Sequence, residues 1–582
     1  RWVERLPPSR AYLGAAIAQR HGLPEIIGRL LAAREVGLDE VPNILNPTIR
    51  ELCPDPATLA DMDKAAERLA HAVLKGEQIA IFGDYDVDGA SSSALLHRFL
   101  AWHGVSARIY IPDRLTEGYG PNVPAISALI EDGASLIVTV DCGSTSFDAL
   151  ELAAKRGVDV IVADHHQIAE NLPAARAIVN PNRQDCLSGQ GHVCAAGVVF
   201  LLCVALQRHL RDKGAYAHRK PPNLLAWLDI VALATVCDVV PLQGINRAFV
   251  VQGLKVLRNR QNPGLRALCD AAGVSKPPSP YTLGFILGPR INAGGRIGDA
   301  SLGARLLATE DGDEACKIAQ TLDQLNRERR EIEIKTVKEA AAWADRLLLE
   351  DPAAPIIVAS SPTWHKGLVG LAASRLTERF QRPCLIFAED QGSGEATGSA
   401  RSVAGVDIGA AVRNAVAAGI AIKGGGHVMA AGITVAQKRL PELAAFLREA
   451  LGPSYRAAVL APVLAVDGAL TPRAATPEFA AQLERAGPFG QGNPAPRFCM
   501  ASVRPVMLKE IARGHLRCAL QAVDGSQVSA VAFRAAQTEL GAALEKARDL
   551  ACHVAGRIER DEWNGRDRIE FHIEDIAAPR NG

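Results

Sequence analysis

Gln78-Ile79-Ala80-Ile81-Phe82-Gly83-Asp84-Tyr85-Asp86-Val87-Asp88-Gly89 is an apolar run that breaks into three alternating aspartates. The same pattern recurs twice downstream. Ser135-Leu136-Ile137-Val138-Thr139-Val140 leads into Asp141-Cys142-Gly143, and Val158-Asp159-Val160-Ile161-Val162 shortly precedes Asp164-His165-His166. Between about 61 and 250, short apolar runs (78–82, 105–111, 135–140, 158–162) alternate with helical patterns, one from Gly89 to about Ala101 and one near 145–156. That alternation predicts a parallel, doubly wound α/β sheet. Ligands of such a sheet bind beyond the carboxyl ends of its strands, so the three acidic loops are expected to meet at one rim. The rim would carry five aspartates and two histidines. Carboxylates about 4 Å apart repel by roughly 1 kcal/mol in water and roughly 4 kcal/mol at an effective dielectric near 20, so the cluster calls for divalent cations.

Asp84-x-Asp86-x-Asp88-Gly89 also opens a calcium-binding EF-hand loop, but the twelfth position is Leu95, where a bidentate Glu is needed. A solvated acidic turn would account for one such motif, not for three at successive strand ends. Asp164-His165-His166 sets imidazole nitrogens beside carboxylate oxygens, a mixture suited to manganese or similar ions. Asp238, after Thr235-Val236-Cys237, offers one more carboxylate. Cys186, His192 and Cys194 have no standard zinc spacing and lack a fourth ligand.

With 582 residues and 48% apolar content, the chain exceeds one hydrophobic core. We read residues 1–60 as an N-terminal cap, 61–260 as the catalytic domain, and 261–352 as a helical connector with a long helix over 313–350. A second α/β domain is expected over 353–455 and a small β-barrel over 456–582, with a hairpin turn at Asn564-Gly565. No apolar run is long enough to span a bilayer, and Arg1-Trp2-Val3-Glu4-Arg5 lacks signal-peptide order, so no membrane association is expected. Twelve cysteines, mostly in apolar stretches such as Leu201-Leu202-Cys203-Val204, read as reduced core residues and point to a cytoplasmic location. The 64 basic and 64 acidic residues cancel, so any polyanion must bind a local patch. Arg497, Arg504, Lys509, Arg513 and Arg517, against the single acid Glu510, supply one in the barrel.

Three further segments pair glycine with cationic residues: Gly288-Pro289-Arg290-Ile291-Asn292-Ala293-Gly294-Gly295-Arg296, Gly398-Ser399-Ala400-Arg401-Ser402 and Gly424-Gly425-Gly426-His427. Close backbone approach next to arginine suits phosphate, so these segments are expected to contact phosphate, the last two as glycine-rich loops of the second α/β domain. The first and last of these, together with Trp364-His365-Lys366-Gly367, Pro488-Phe489-Gly490-Gln491-Gly492-Asn493-Pro494 and the two motifs 83–89 and 164–166, resemble the RecJ family. These are single-strand-specific 5′ to 3′ DNA exonucleases of the DHH phosphoesterase superfamily.

The resemblance implies a DHH domain, a connecting helix, a DHHA1 domain and an oligonucleotide-binding (OB) barrel. It implies a two-metal site for Mn2+ or Mg2+ held by Asp84, Asp86, Asp88, Asp141, His165 and Asp238, with His166, Asp164 and Asp141 as the catalytic set. Arg290, Asn292, Arg296, His365, Ser399, Arg401, Ser402 and His427 would contact substrate phosphate. Single-stranded DNA is the implied substrate, a single-strand-binding protein or helicase the implied partner, and DNA recombination and repair the process. Related pyrophosphatases carry a histidine where this chain has Phe82, which counts against that activity. A DHH phosphoesterase of short oligonucleotides would not use the extra C-terminal β structure, and an inactive replication scaffold would not keep the acidic set.

Overall fold

The computed structural model describes residues 1–168, 170–460, 463–561 and 568–579. The chain divides into two compact units, one formed by Asp55–Asp238 with Gly253–Pro462, the other by Arg1–Pro54, Val239–Gln252 and Val463–Gly582.

In the first of these units the four apolar runs become strands β1 (Ile79–Gly83), β2 (Arg108–Tyr110), β3 (Leu136–Val140) and β4 (Asp159–Ala163), and a fifth strand that the sequence reading did not single out, β5 (Ala177–Val179), completes the sheet. All neighbours are parallel, in the order β2-β1-β3-β4-β5. Every residue of β1 and β3 is buried, as expected for central strands covered by helices on both faces. Because the order reverses between β1 and β3, the crevice beyond their carboxyl ends is the natural ligand position.

Helix α1 (Val87–Trp102) starts directly after β1; α2 (Ala195–Asp212) and α3 (Leu228–Cys237) follow β5. A π-helical turn, Thr282–Leu287, runs straight into α4 (Gly288–Ile297). The predicted long helix is α5 (Gly312–Glu350), whose 39 residues span about 58 Å. Asp311 caps it by accepting from the backbone of Asp313 and Glu314. Its first half buries Ala315, Ile318 and Leu322 in the helical core over the parallel sheet, while Ala340 and Ala344 join the core of the following domain. One rod therefore braces both.

That domain contains β6 (Ile357–Ser361), β7 (Cys384–Asp390), β8 (Glu395–Arg401), β9 (Lys423–His427) and β10 (Ala430–Ala436), with helices α6 (Val369–Phe380) and α7 (Ile408–Ala417). The order is β9-β10-β8-β7-β6, and only β6 and β7 run parallel.

The other unit is built on a barrel: β11 (Gly468–Ala469), β12 (Phe498–Ile511), β13 (His515–Gln521), β14 (Gln527–Ala532), β15 (Cys552–Asp561) and β16 (Arg568–Ala577), in the order β11-β12-β13-β14-β16-β15. The long β12 pairs with both β13 and β15 and so closes the barrel, bending at irregularities between Met500 and Val503 and between Val506 and Lys509. The predicted Asn564-Gly565 turn lies outside the described residues; the strands on either side of it pair antiparallel. Leu6, Ile17, Ile27, Leu30 and Leu31 share one core with barrel residues Phe498, Met500, Leu520 and Phe571. The strand Trp2–Glu4 pairs in parallel with Leu464–Val466. Buried Asp467 receives Arg5 at 3.0 Å, Arg34 at 3.2 Å and the backbone N–H of Arg497 at 2.9 Å.

All twelve cysteines are free, and among the described residues no helix is long and apolar enough to cross a membrane. Arg247 is almost wholly buried and donates to the carbonyls of Ile44, Ala486 and Gly487. Burial and the nearby charge of Arg34 lower its pKa to about 10. Removing it strands those carbonyls. We expect Arg247→Ala to destabilise this unit by ~2–4 kcal/mol, read by calorimetry as a downward shift of one unfolding transition; an unmoved thermogram would contradict the assignment.

Candidate active site

The carboxyl ends of β1, β3 and β4 deliver Asp84, Asp86 and Asp88, then Asp141, then Asp164-His165-His166, while Asp238 caps the C-terminus of α3. Their ligand-bearing atoms converge. Asp84, Asp86 and Asp141 form one group, Asp88, His165 and Asp238 a second, and Asp141, His165 and His166 a third, the atoms of each lying within 4.8 Å of one another. Asp141 is shared by the first and third. Its left-handed backbone (φ 62°), unusual for a non-glycine residue, turns the chain sharply as β3 ends.

Each side chain is fixed by its neighbours. Asp86 caps α1, one oxygen accepting from Asp88 N at 2.8 Å and Gly89 N at 3.0 Å. Asp88 sits on the N-terminus of α2 and accepts from Ala195 N at 2.7 Å and Ala196 N at 2.8 Å, where the helix dipole favours negative charge. Asp164 uses one oxygen for the backbone N–H of His165 and His166 and, at 2.8 Å, for His166 Nδ1; the other accepts from Ser144 N. Asp164 thus orients His166 and leaves its Nε2 for a ligand. The Tyr119 hydroxyl donates to the Asp141 carbonyl at 3.0 Å and lies 3.1 Å from His166 Nδ1.

Among the described residues of this rim, three buried atoms have no hydrogen-bond partner: Asp84 Oδ1, Asp141 Oδ1 and His165 Nε2. The last two face each other at 3.4 Å, with Asp238 Oδ2 and Asp88 Oδ2 at 3.7 and 3.8 Å from the imidazole nitrogen. Orphaned donors of this kind, converging from both oxygen and nitrogen, fit a divalent ion.

Electrostatics agree. Burial, reinforced by neighbouring carboxylates, pushes Asp84 and Asp141 well above the carboxylate range. The same causes raise Asp88 to about 7, with Asp86 adding repulsion, and Asp238 to about 9, with Asp88 and Asp86 adding theirs. Burial and the charge of His166 lower His165 to about 4, which favours the neutral form that binds metal. Burial also opposes protonation of His166, but its hydrogen bond and ion pair with Asp164 prevail and raise it to about 9.

Facing this rim is a cationic surface. Arg296 is half-buried, donates to Gly367 O at 3.0 Å, and feels Arg114, Arg329 and Arg401 as repulsive neighbours and Asp86 as an attractive one. Arg401, on β8, donates to Ser399 Oγ at 3.1 Å. Among the described residues neither Arg114, Arg296 nor Arg401 has a carboxylate within ion-pair distance, which suits a bound anion. The register sets His427, Ala430 and Arg401 on one rung, so His427 and Arg401 are about 10 Å apart. Gly425 and Gly432 share the next rung of that face with Ser399, and the space above both glycines is open. His365 accepts from Gly367 N, and Asn292 is half-buried on α4.

Here the structure corrects four expectations. The 398–401 and 424–427 segments are strands, not loops, while 288–296 is helix. The glycines instead permit close packing: a Cβ on Gly295 would lie 2.7 Å from Tyr85 O in the aspartate loop. Arg290 is buried, paired with Asp323 at 3.0 Å, and holds α4 to α5 instead of facing phosphate. Ser402 is buried and its hydroxyl donates to Val406 O at 2.7 Å, so it is not free for a ligand.

The chain matches the DHH family N-terminal domain over residues 78–235, the DHHA1 domain over 353–452 and the RecJ OB domain over 466–575. It is 37% identical over 511 residues to the single-stranded-DNA-specific exonuclease RecJ of Dickeya dadantii, covering 86% of this chain and 88% of that protein. The Escherichia coli protein of that name is 38% identical over 518 residues, again 86% and 88%. The chain belongs to the RecJ family. In three dimensions it is similar to Thermus thermophilus RecJ crystallised with Mn2+, with a TM-score of 0.81 at 29% identity over 100% of this chain and 79% of that one.

In the RecJ-type barrel, Arg504, Lys509 and Arg513 are exposed, and no ion pair involves them among the described residues. Arg497 is half-buried on Glu574 at 2.5 Å, and Arg517 pairs with Glu570 at 3.0 Å. Sequence reading missed Arg114 and Tyr119, in the loop after β2; the strand-end rule, applied to that strand too, points to both.

The raised carboxyls fix a pH dependence. Between about pH 4 and the folded values of about 7 for Asp88 and 9 for Asp238, the metal-free native state holds protons that the unfolded chain has lost. Stability therefore falls as pH rises through that window. His166 acts in the same direction, its contribution complete below ~6.5 and lost as pH passes about 9. Divalent metal competes with these protons. Mn2+ is accordingly expected to raise the melting temperature more near pH 9 than near pH 6, by differential scanning fluorimetry with a chelator control; an equal shift at both would refute the coupling.

Proposed function

We propose that this chain is a metal-dependent exonuclease that hydrolyses single-stranded DNA from the 5′ end, in recombination and repair. The observation that carries the reading is the convergence of three buried atoms without a hydrogen bond, Asp84 Oδ1, Asp141 Oδ1 and His165 Nε2, opposite arginines that have no carboxylate partner among the described residues. Two divalent ions, Mn2+ or Mg2+, held by Asp84, Asp86, Asp88, Asp141, His165 and Asp238, would supply Lewis-acid polarisation of the scissile phosphate and activation of water. Asp164 keeps His166 charged and aimed outward, so its Nε2 can donate to a phosphate oxygen as charge builds there. Arg296, Arg401, Ser399 and Arg114 would hold the terminal phosphate, with His427 at the rim of the glycine floor.

The intact acidic set argues against an inactive scaffold, and the OB barrel against an enzyme confined to short oligonucleotides. A single-strand-binding protein or a helicase fits as the partner that presents the strand, and the cytoplasm as the place of action. Digestion of end-labelled single-stranded and duplex DNA with Mn2+ or Mg2+ tests the whole reading. Early release of a labelled 5′ nucleotide from the single strand is the expected result; endonucleolytic products or preference for duplex would overturn it.

Asp141→Ala should abolish hydrolysis while leaving strand binding within a few-fold, because this carboxylate serves chemistry more than grip. Near-normal turnover of the variant in Mn2+ would remove Asp141 from the metal site. Combined substitution of Arg504, Lys509 and Arg513 by Ala should reduce the slope of log affinity against log salt by about 2, at roughly 0.7 per lost single-strand phosphate contact. An unchanged slope in fluorescence-anisotropy titrations would show that these side chains do not touch the strand.

A further inference from the structure

Tyr281 and Phe285 lie one helical turn apart at the start of the run that leads into α4, with ring centroids 5.0 Å apart and planes tilted by only 19°. Both rings are largely solvent-exposed, at 64% and 66%. Neither contributes to the core beneath, which is filled by Leu283 and Leu287 from the same turn. The segment Ser279-Pro280-Tyr281-Thr282-Leu283-Gly284-Phe285-Ile286-Leu287-Gly288-Pro289 contains no charged residue. Two exposed, nearly parallel aromatic rings on an uncharged ledge are a costly surface to leave in water.

Their position links them to the site. The backbone here widens into the π-helical turn Thr282–Leu287, a departure from α geometry often found at functional positions. That turn packs directly on the residues before Asp238: Cys237 Sγ donates to Leu283 O at 3.5 Å, and a Cβ on Gly288 would lie 2.4 Å from the same sulfur. At its far end the run abuts the aspartate loop through Gly295 and carries Arg296 into the cationic surface. From Phe285 to Gly295 is about 15 Å at 1.5 Å per residue. A strand whose phosphate occupies the arginines can thus lay a neighbouring part of itself along this run.

We propose that Tyr281 and Phe285 form a base-stacking platform that holds a nucleobase of the single strand outside the metal rim, an inference that rests on the nuclease reading above. Stacking suits an enzyme that must accept any sequence, because every base presents a π-face. A paired duplex keeps its base faces covered, so the platform also favours single strands.

The test uses the full chain in Mn2+ with a nuclease-resistant phosphorothioate single strand. Phe285→Ala, and Phe285→Leu, which keeps apolar bulk without a ring, should each weaken binding of a long strand by about 5- to 150-fold, the equivalent of ~1–3 kcal/mol for one base stack. Phe285→Tyr should bind normally, and hydrolysis of an unmodified trinucleotide should change by less than about twofold in all three. With abasic sites scanned along the strand, the wild type should lose affinity at one position, and Phe285→Leu should show no further loss there. Wild-type affinity in Phe285→Leu, or the same abasic penalty in both proteins, would overturn the platform, including the case in which the rings dock a protein instead. If the wild-type chain neither binds nor degrades single strands, it is the nuclease reading that fails.

Discussion

Crowding carboxylates into a dry rim is the constraint to which the rest of this structure answers. Asp84, Asp88, Asp141 and Asp164 are between 1% and 5% exposed, and several face one another. A buried carboxylate without a partner is untenable as an anion. The fold meets the problem with backbone N–H groups. Asp86 takes two from the start of α1, Asp88 takes two from the start of α2, and Asp164 takes two from its own loop together with the imidazole of His166. A parallel sheet suits this arrangement, since it gathers strand C-termini and helix N-termini at the same edge. Asp84, Asp141 and Asp238, whose pKa values stay raised, are the carboxyls whose charge a cation must balance when they ionise.

Separation of sign extends the same logic. Arg114, Arg296 and Arg401 repel one another and are partly desolvated, so they are as ill at ease without an anion as the aspartates are without a cation. A phosphodiester with metal on one side and arginine on the other satisfies both sets. Helix α5 makes the juxtaposition durable, because it is buried in the cores of both domains that supply the two surfaces. Arg290 and Asp323 fasten α4 to that rod, which gives the arginine a positioning task.

Legibility in the sequence tracked how local the controlling physics is. Four strands of the parallel sheet and the long helix were readable because their periodicity and burial are written within a dozen or so residues, whereas the three-residue edge strand β5 is too short to carry such a signal. The aspartates were readable because like charges at strand ends have few structural uses. Glycine misled: Gly295 marks a close contact with Tyr85, more than 200 residues away in the chain, and Gly425 and Gly432 clear a sheet face, yet both give the signal of a flexible loop. Arg290 and Ser402 misled for a related reason, since Asp323 and Val406 claim them only after folding. The N-terminal segment read as a cap because its core partners, Phe498 and Phe571 among them, lie far along the chain.

A chain of zero net charge can still grip a polyanion if its charges are segregated, and the barrel shows how finely. Arg497 and Arg517 are largely committed to Glu574 and Glu570. Lys509 stands directly opposite Arg517 across the β12–β13 pair, a like-charge placement that costs stability in a free sheet. Glu570 relieves part of the repulsion through Arg517, while Lys509, Arg504 and Arg513 remain exposed. The uncompensated charge therefore sits on an irregular stretch of β12 and the turn that follows it, where Met507 and Arg513 already adopt left-handed backbone. Local strain and local repulsion coincide at one edge of the barrel, and a strand of phosphates passing over that edge would relieve the repulsion.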